Sequence, residues 1–217
     1  MKRLFSVFIG FLMIFAITGM ANAAFIISPD SVFFNNAGEF QSNTRVTNTI
    51  DQSGLSAGFT SGVTDFDAYF GSPTHAMQFS NNEWWARNGV NRGTIIYDLG
   101  DVYTLDRLAL WNEDAMGIAS FELYTSLSSD FSSFIDHGTF QPSDNAYAVD
   151  YEADIFNMIV GNARYVKLVM VGAGETLGMG EIAFSANTAG NAVPEPATLM
   201  LFGLGLLGLA GINRKKN

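Results

Sequence analysis

The pair Trp84-Trp85, followed by Arg87, Asn88 and Arg92, is the group of residues in this 217-residue chain best suited to holding a ligand. Adjacent side chains on a strand point to opposite faces, so one indole fills the core while the other approaches the surface or a loop cleft. An exposed indole stacks on the apolar face of a sugar ring, with Arg87, Asn88 and Arg92 donating hydrogen bonds to its hydroxyls. The same sequence also fits two indoles that are both buried, or covered by the loops of residues 35–75. Both readings stand at this level. Trp111, inside Leu108-Ala-Leu-Trp-Asn112, reads as structural.

Residues for catalysis are scattered. The two histidines, His75 and His137, have no ligand cluster or nucleophile motif beside them and read as surface loop residues. Asp65-x-Asp67, Glu113-Asp114 and Asp150-x-Glu152-x-Asp154 are paired carboxylates. Acid–base work would need one member of a pair desolvated in a cleft. Oxygen ligation of a cation, or plain solubility, explains them with less machinery. Gly172-Ala-Gly174-Glu-Thr-Leu-Gly178 imitates a phosphate loop, but a strand pattern follows it in place of the helix whose N-terminus would bind the anion. No catalytic residue is predicted, and the chain is not expected to be an enzyme.

These residues must be positioned by strands. Thr94–Leu99 is a β-branched run closed by Gly100-Asp101, and the segments 107–111, 120–124, 165–170 and 181–184 alternate apolar with polar residues. Period two with one apolar face marks strands buried on one side. Phe25–Phe34 reads as a first strand region broken at Ser28-Pro29-Asp30, and residues 35–75 as long loops with short strands. Residues 152–162 are the one stretch with a helical reading, ended by Gly161-Asn162. Short strands between turn-rich segments predict an all-β sandwich over 24–185, followed by a small, polar linker at 186–193.

The two ends carry targeting information. Lys2-Arg3, the apolar run Leu4–Ile17 and Ala21-x-Ala23 make a secretory signal at residues 1–23, removed by signal peptidase after Ala23; an uncleaved membrane helix is the alternative. Between residues 24 and 193 stand six basic residues against 20 acidic ones, a net charge of −14. That surface repels nucleic acid and anionic lipid, which excludes nucleic-acid binding, and suits divalent cations or neutral or basic partners. Cysteine is absent, so an exported domain here is held by its core, with or without a metal.

Pro194-Glu195-Pro196 precedes an apolar run at 197–212 and the basic end Arg214, Lys215 and Lys216. Sixteen helical residues span roughly 24 Å, short of a ~30 Å hydrocarbon core, and the three cations would stop transfer on the cytoplasmic side. This tail, residues 194–217, resembles the PEP-CTERM sorting signal of Gram-negative bacteria that make extracellular polysaccharide. The resemblance implies recognition of Pro194, Glu195 and Pro196 by an exosortase, a transient inner-membrane tether through 197–212, and delivery to the cell surface or extracellular matrix. A tail that is never cleaved is the alternative.

The domain has a resemblance of its own. Ile95–Gly100, Leu105–Asn112, Phe121–Ser126 with Asp130-Phe131, Ala163–Leu168 and Gly180–Phe184 are similar, in order and spacing, to the discoidin or coagulation-factor type C branch of the galactose-binding-like jelly rolls. The resemblance covers residues 76–185 and implies a jelly-roll sandwich that binds carbohydrate, here extracellular polysaccharide, through loops at one end. The alternative is a structural surface protein without a small ligand. The family's C-terminal Glu, a calcium ligand in many members, falls on Glu181. The family's Asp-Gly ahead of the first Trp is missing from Ser80-Asn-Asn-Glu-Trp-Trp85. Calcium is therefore the one cofactor in question, and the alternative for Glu181 is a solvent-facing position on an edge strand.

Overall fold

The computed structural model describes residues 24–71, 73–77, 81–113 and 116–188. The signal at 1–23, the linker beyond residue 188 and the sorting tail lie outside the described residues.

The strands are β1 (Phe25–Ile27), β2 (Ser31–Asn35), β3 (Thr74–His75), β4 (Trp84–Trp85) and β5 (Arg92–Asn112). They continue with β6 (Ile118–Ser126), β7 (Ile135–Phe140), β8 (Tyr151–Glu152), β9 (Asp154–Gly172) and β10 (Gly178–Thr188). A 3₁₀ turn at Val46–Thr49 and one helical turn, α1 (Phe66–Tyr69), are the helical elements among the described residues. Among the described residues the strand pairs are antiparallel: one sheet runs β1-β10-β5-β9-β6-β7, with β2 added on β5 and β4 on β10, and β3 and β8 form a separate two-stranded sheet.

Two strands are long enough to serve both layers of a sandwich. The first half of β5 pairs with β2 and with 165–171 of β9, and its second half pairs with β10 and with 154–163 of β9. The register breaks between Asp98 and Tyr103, where Gly100 takes a positive φ of 81°. Such a bulge bends a strand and increases its twist. One layer is therefore β2, early β5, late β9, β6 and β7; the other is β1, β10, late β5 and early β9.

The inward residues of both layers meet in one core. Ile95 and Tyr97 face Leu108 and Leu110, together with Phe121, Leu123, Val166, Leu168, Ile182 and Phe184. The outer face of the second layer is covered as well: Ile26, Ala109, Trp111 and Ala183 pack under Phe66, Phe70 and Leu55 of the 51–75 segment.

Two expectations change. Residues 154–163 are a strand, because each of them that pairs does so with late β5, and tertiary pairing overrides a weak local helical pattern. The linker starts later than residue 186: β10 runs to Thr188, and Ala186 is buried between Phe25 and Leu105.

Candidate functional site

Burial alternates from Trp84 to Arg87, where Trp84-Trp85 is β4. Trp84 and Ala86 are fully buried, whereas Trp85 is half-buried and Arg87 exposed. Hydrogen bonds lock this ribbon between the 36–50 loop and the start of β10. Phe40 N–H donates to Trp85 O (2.9 Å), Arg87 N–H to Ala37 O (3.1 Å) and Ala86 N–H to Leu177 O (2.9 Å). The Trp84 indole N–H donates to Gly38 O at 2.9 Å. Gly38 has φ +71°, and a Cβ there would lie 2.9 Å from an Arg87 guanidinium nitrogen. A glycine at this position lets the loop turn and leaves room for the arginine.

Trp84 is therefore a core residue and not a sugar platform, which corrects its place among the candidate ligand residues. Alternation had to bury one indole of the pair, and the partners of β4 decide which. Trp85 remains at the surface. Its ring lies 6.4 Å from that of Phe40, which is 44% exposed, and its N–H donates to Glu83 Oε2 at 3.2 Å.

Arg87 lines a cleft of about 740 Å³ between β2 and the 38–50 loop, together with Phe33, Phe34, Glu39 and Ile50. Asn88 is exposed beside it. Arg92 is elsewhere: it lines a second cavity, on the outer face of the first layer. Trp85, Arg87 and Asn88 thus belong to one neighbourhood and Arg92 to another. Sequence reasoning missed Phe40 and Gly38, whose parts arise only because residues 36–40 fold back over the Trp84–Arg87 ribbon.

Behind this ribbon lies a buried polar layer. Glu83 and Tyr151 are nearly inaccessible, and the Tyr151 hydroxyl donates to Glu83 Oε1 at 3.1 Å. His75 is buried, not a surface residue, and stacks on Tyr151 with ring centroids 5.2 Å apart. Its Nδ1 faces Ala76 O at 2.8 Å and its Nε2 faces Ser53 O at 3.1 Å. A neutral imidazole donates to only one of them. Burial lowers the His75 pKa, with the carbonyl contacts pulling the other way.

Glu181 does not face solvent on an edge. It lies on β10, flanked by β1 and β4 on one side and β5 on the other, and is fully buried. Oε2 accepts the Gln52 N–H at 2.9 Å, and Oε1 is buried without a hydrogen-bond partner. Desolvation pushes this carboxyl well above the usual range; the Gln52 contact opposes the shift and the Asp51 charge adds to it. Calcium takes six to eight oxygens. Among the described residues no three His, Cys, Asp or Glu side chains converge, the Ser53 and Ala76 carbonyls face His75, and the Asp51 carboxylate accepts Ser53 N–H.

Several of the remaining titratable groups have local structural partners. Asp65 caps α1 by accepting Ala68 N–H at 2.8 Å, and Asp67 pairs with Arg107. Asp150 accepts Met77 N–H, Asp154 holds Ser143 through N–H and hydroxyl, and Glu113 accepts Met116 N–H. His137 accepts Ile159 N–H on Nδ1 and meets the Thr125 hydroxyl on Nε2. Asp98 and Arg164 pair at 2.9 Å.

This architecture is a jelly-roll β-sandwich of the galactose-binding-like fold. A protein fragment from Bacteroides thetaiotaomicron superposes with a TM-score of 0.53 at 14% identity, over 80% of this chain and 98% of that one. The CBM32-1 and CBM32-2 domains of Clostridium perfringens ZmpB, solved in complex with GalNAc, superpose with a TM-score of 0.51 at 14% identity. That match covers 74% of this chain and 35% of the other. The chain also carries a PEP-CTERM protein-sorting motif at residues 192–215, which implies export and sorting by an exosortase. No curated protein matches it.

Proposed function

We propose that this is a non-enzymatic, carbohydrate-binding protein of the cell surface or extracellular matrix, exported through its signal peptide and released from an inner-membrane tether by exosortase cleavage near Pro194-Glu195-Pro196. Sugar is held at the loop end of the sandwich by Trp85 and Phe40, with Arg87 and Asn88 at the edge of the adjoining cleft. The observation that carries the reading is the pair of partly exposed rings beside an arginine that has no ion pair among the described residues. Aromatic faces bind the C–H side of a pyranose while a guanidinium and an amide take its hydroxyls. The cleft volume of about 740 Å³ falls within the range usual for small-molecule sites.

The galactose-binding-like fold supports the reading only as a precedent, since function resides in the site and not in the fold. A glycan array on residues 24–190, run with calcium and with chelator, tests it. Reproducible hits lost in Trp85→Ala support the lectin reading. Silence across the array, with the domain folded, supports a purely structural surface protein.

A further inference from the structure

A second cavity lies away from the Trp85 neighbourhood, on the outer face of the first layer. Strand register builds it. Arg92 pairs with Val171 and Val171 with Ser120, forming one row across β5, β9 and β6. Thr94 pairs with Val169, Val169 with Glu122 and Glu122 with Thr139, forming the next row across β5, β9, β6 and β7. Their neighbours in sequence, Gly93, Ile95, Phe121, Leu123, Leu168 and Met170, are buried. Alternation therefore turns both rows outward. Asn36, just past β2, closes one end: its Oδ1 accepts Thr94 N–H at 2.7 Å. The result is a trough of about 320 Å³, at the lower end of the range for ligand clefts.

Its chemistry is specific in kind. Val169 and Val171 form an apolar floor. Thr94, Ser120, Thr139 and Asn36 line the walls with neutral donors and acceptors, and Arg92 adds a guanidinium that has no ion pair among the described residues. Glu122 is engaged by the Tyr124 hydroxyl at 2.7 Å. From β5 to β7 there are three interstrand spacings, roughly 14 Å at ~4.8 Å each, which exceeds a single pyranose ring. An apolar floor with hydroxyl-bearing walls matches a sugar chain, whose ring faces are C–H surfaces and whose edges are hydroxyls. The net charge of −14 between residues 24 and 193 repels a polyanion.

We propose that this trough is a second glycan site, which takes an internal stretch of a neutral polysaccharide, while the Trp85 neighbourhood takes a short sugar unit. Asn35 lines the Trp85-side cleft and Asn36 the trough, so the two sites adjoin at the end of β2. A polymer that fills both gains affinity by linkage.

Affinity electrophoresis of the full chain in detergent tests this, with soluble galactan and soluble xyloglucan as neutral polymers, alginate as the polyanion and galactobiose as the short probe. The trough variant is Arg92→Ala/Ser120→Ala/Thr139→Ala, all at exposed or half-buried positions, checked for an unchanged melting temperature. A roughly tenfold loss of neutral-polymer retardation, with galactobiose binding unchanged, is the expected result. Unchanged polymer retardation in the variant, no retardation by either neutral polymer, or stronger retardation by alginate overturns the proposal. Galactobiose binding lost in Trp85→Ala reports on the loop-end site alone. If wild type ignores galactobiose yet loses polymer binding in the trough variant, the loop-end reading fails and the trough stands.

Discussion

Replacing Trp84 and Trp85 one at a time separates fold from site at adjacent positions. Trp84 is fully buried, packs in the central core and donates its indole N–H to Gly38 O. Trp84→Ala removes a large buried ring, a change that costs about 3–5 kcal/mol. The Gly38 carbonyl then loses its donor, which adds about 1 kcal/mol. Domains of this size have about 5–15 kcal/mol in total, so Trp84→Ala sits at the margin of folding. Where it still folds, its melting temperature falls by about 10–20 °C, at roughly 2–4 °C per kcal/mol. Trp85 is half-buried, and its ring meets that of Phe40. Trp85→Ala costs about 2 kcal/mol, from one aromatic pair and the hydrogen bond to Glu83, and lowers the melting temperature by about 4–8 °C. Thermal denaturation by circular dichroism, paired with glycan binding, reads both effects. Trp84→Phe, which keeps an aromatic ring in the core, covers the case where Trp84→Ala fails to fold and should bind glycan as wild type does. Equal destabilisation by Trp84→Ala and Trp85→Ala, or glycan binding kept in Trp85→Ala, would refute the division of roles.

The buried ionisable groups give stability a pH dependence with opposite signs. Glu181 has a raised folded pKa, so its contribution is full below the unfolded value of 4.5 and is lost as pH rises through the folded pKa, by about 1.4 kcal/mol per unit. Glu181→Gln should remove that slope in denaturant titrations, and an unchanged slope would sink the assignment. His75 has a lowered folded pKa, so its contribution is present above the unfolded value of 6.5 and is lost as pH falls through the folded pKa; His75→Gln should flatten the acid limb. A calcium ion held at Glu181 would raise the melting temperature at millimolar calcium, and an unchanged value would remove that site from the account. A rise that disappears in Glu181→Gln would show a bound cation acting by mass action. In a host with an exosortase, mass spectrometry of the mature protein should find neither residues 1–23 nor residues 197–217. Ala at Pro194, Glu195 and Pro196 should leave the full tail on protein retained in the inner membrane, and intact Arg214–Asn217 on surface-located wild type would contradict processing.

The sorting tail and the strand content were legible in the sequence because both are local codes. Pro-Glu-Pro, an apolar run and a basic end are read by contiguous position, and period-two alternation in 94–99, 107–111, 120–124, 165–170 and 181–184 records which side of each strand is buried. The same alternation required that Trp84 and Trp85 part company. Which of them went inward was decided by tertiary structure, through the pairing of β4 with β10 and the fold-back of residues 36–40 over the ribbon. Register likewise sent Arg87 and Arg92, five residues apart, to different cavities. His75 reads from sequence as a surface residue, and Glu181 as a candidate calcium ligand or a solvent-facing position. They are buried because the 51–75 segment closes over the second layer and supplies Gln52 N–H and Ser53 O to them. Contacts between residues about 20 to 130 positions apart leave no periodic trace in the chain, since they depend on how the two layers and their covering loops are stacked and not on the order of neighbouring residues.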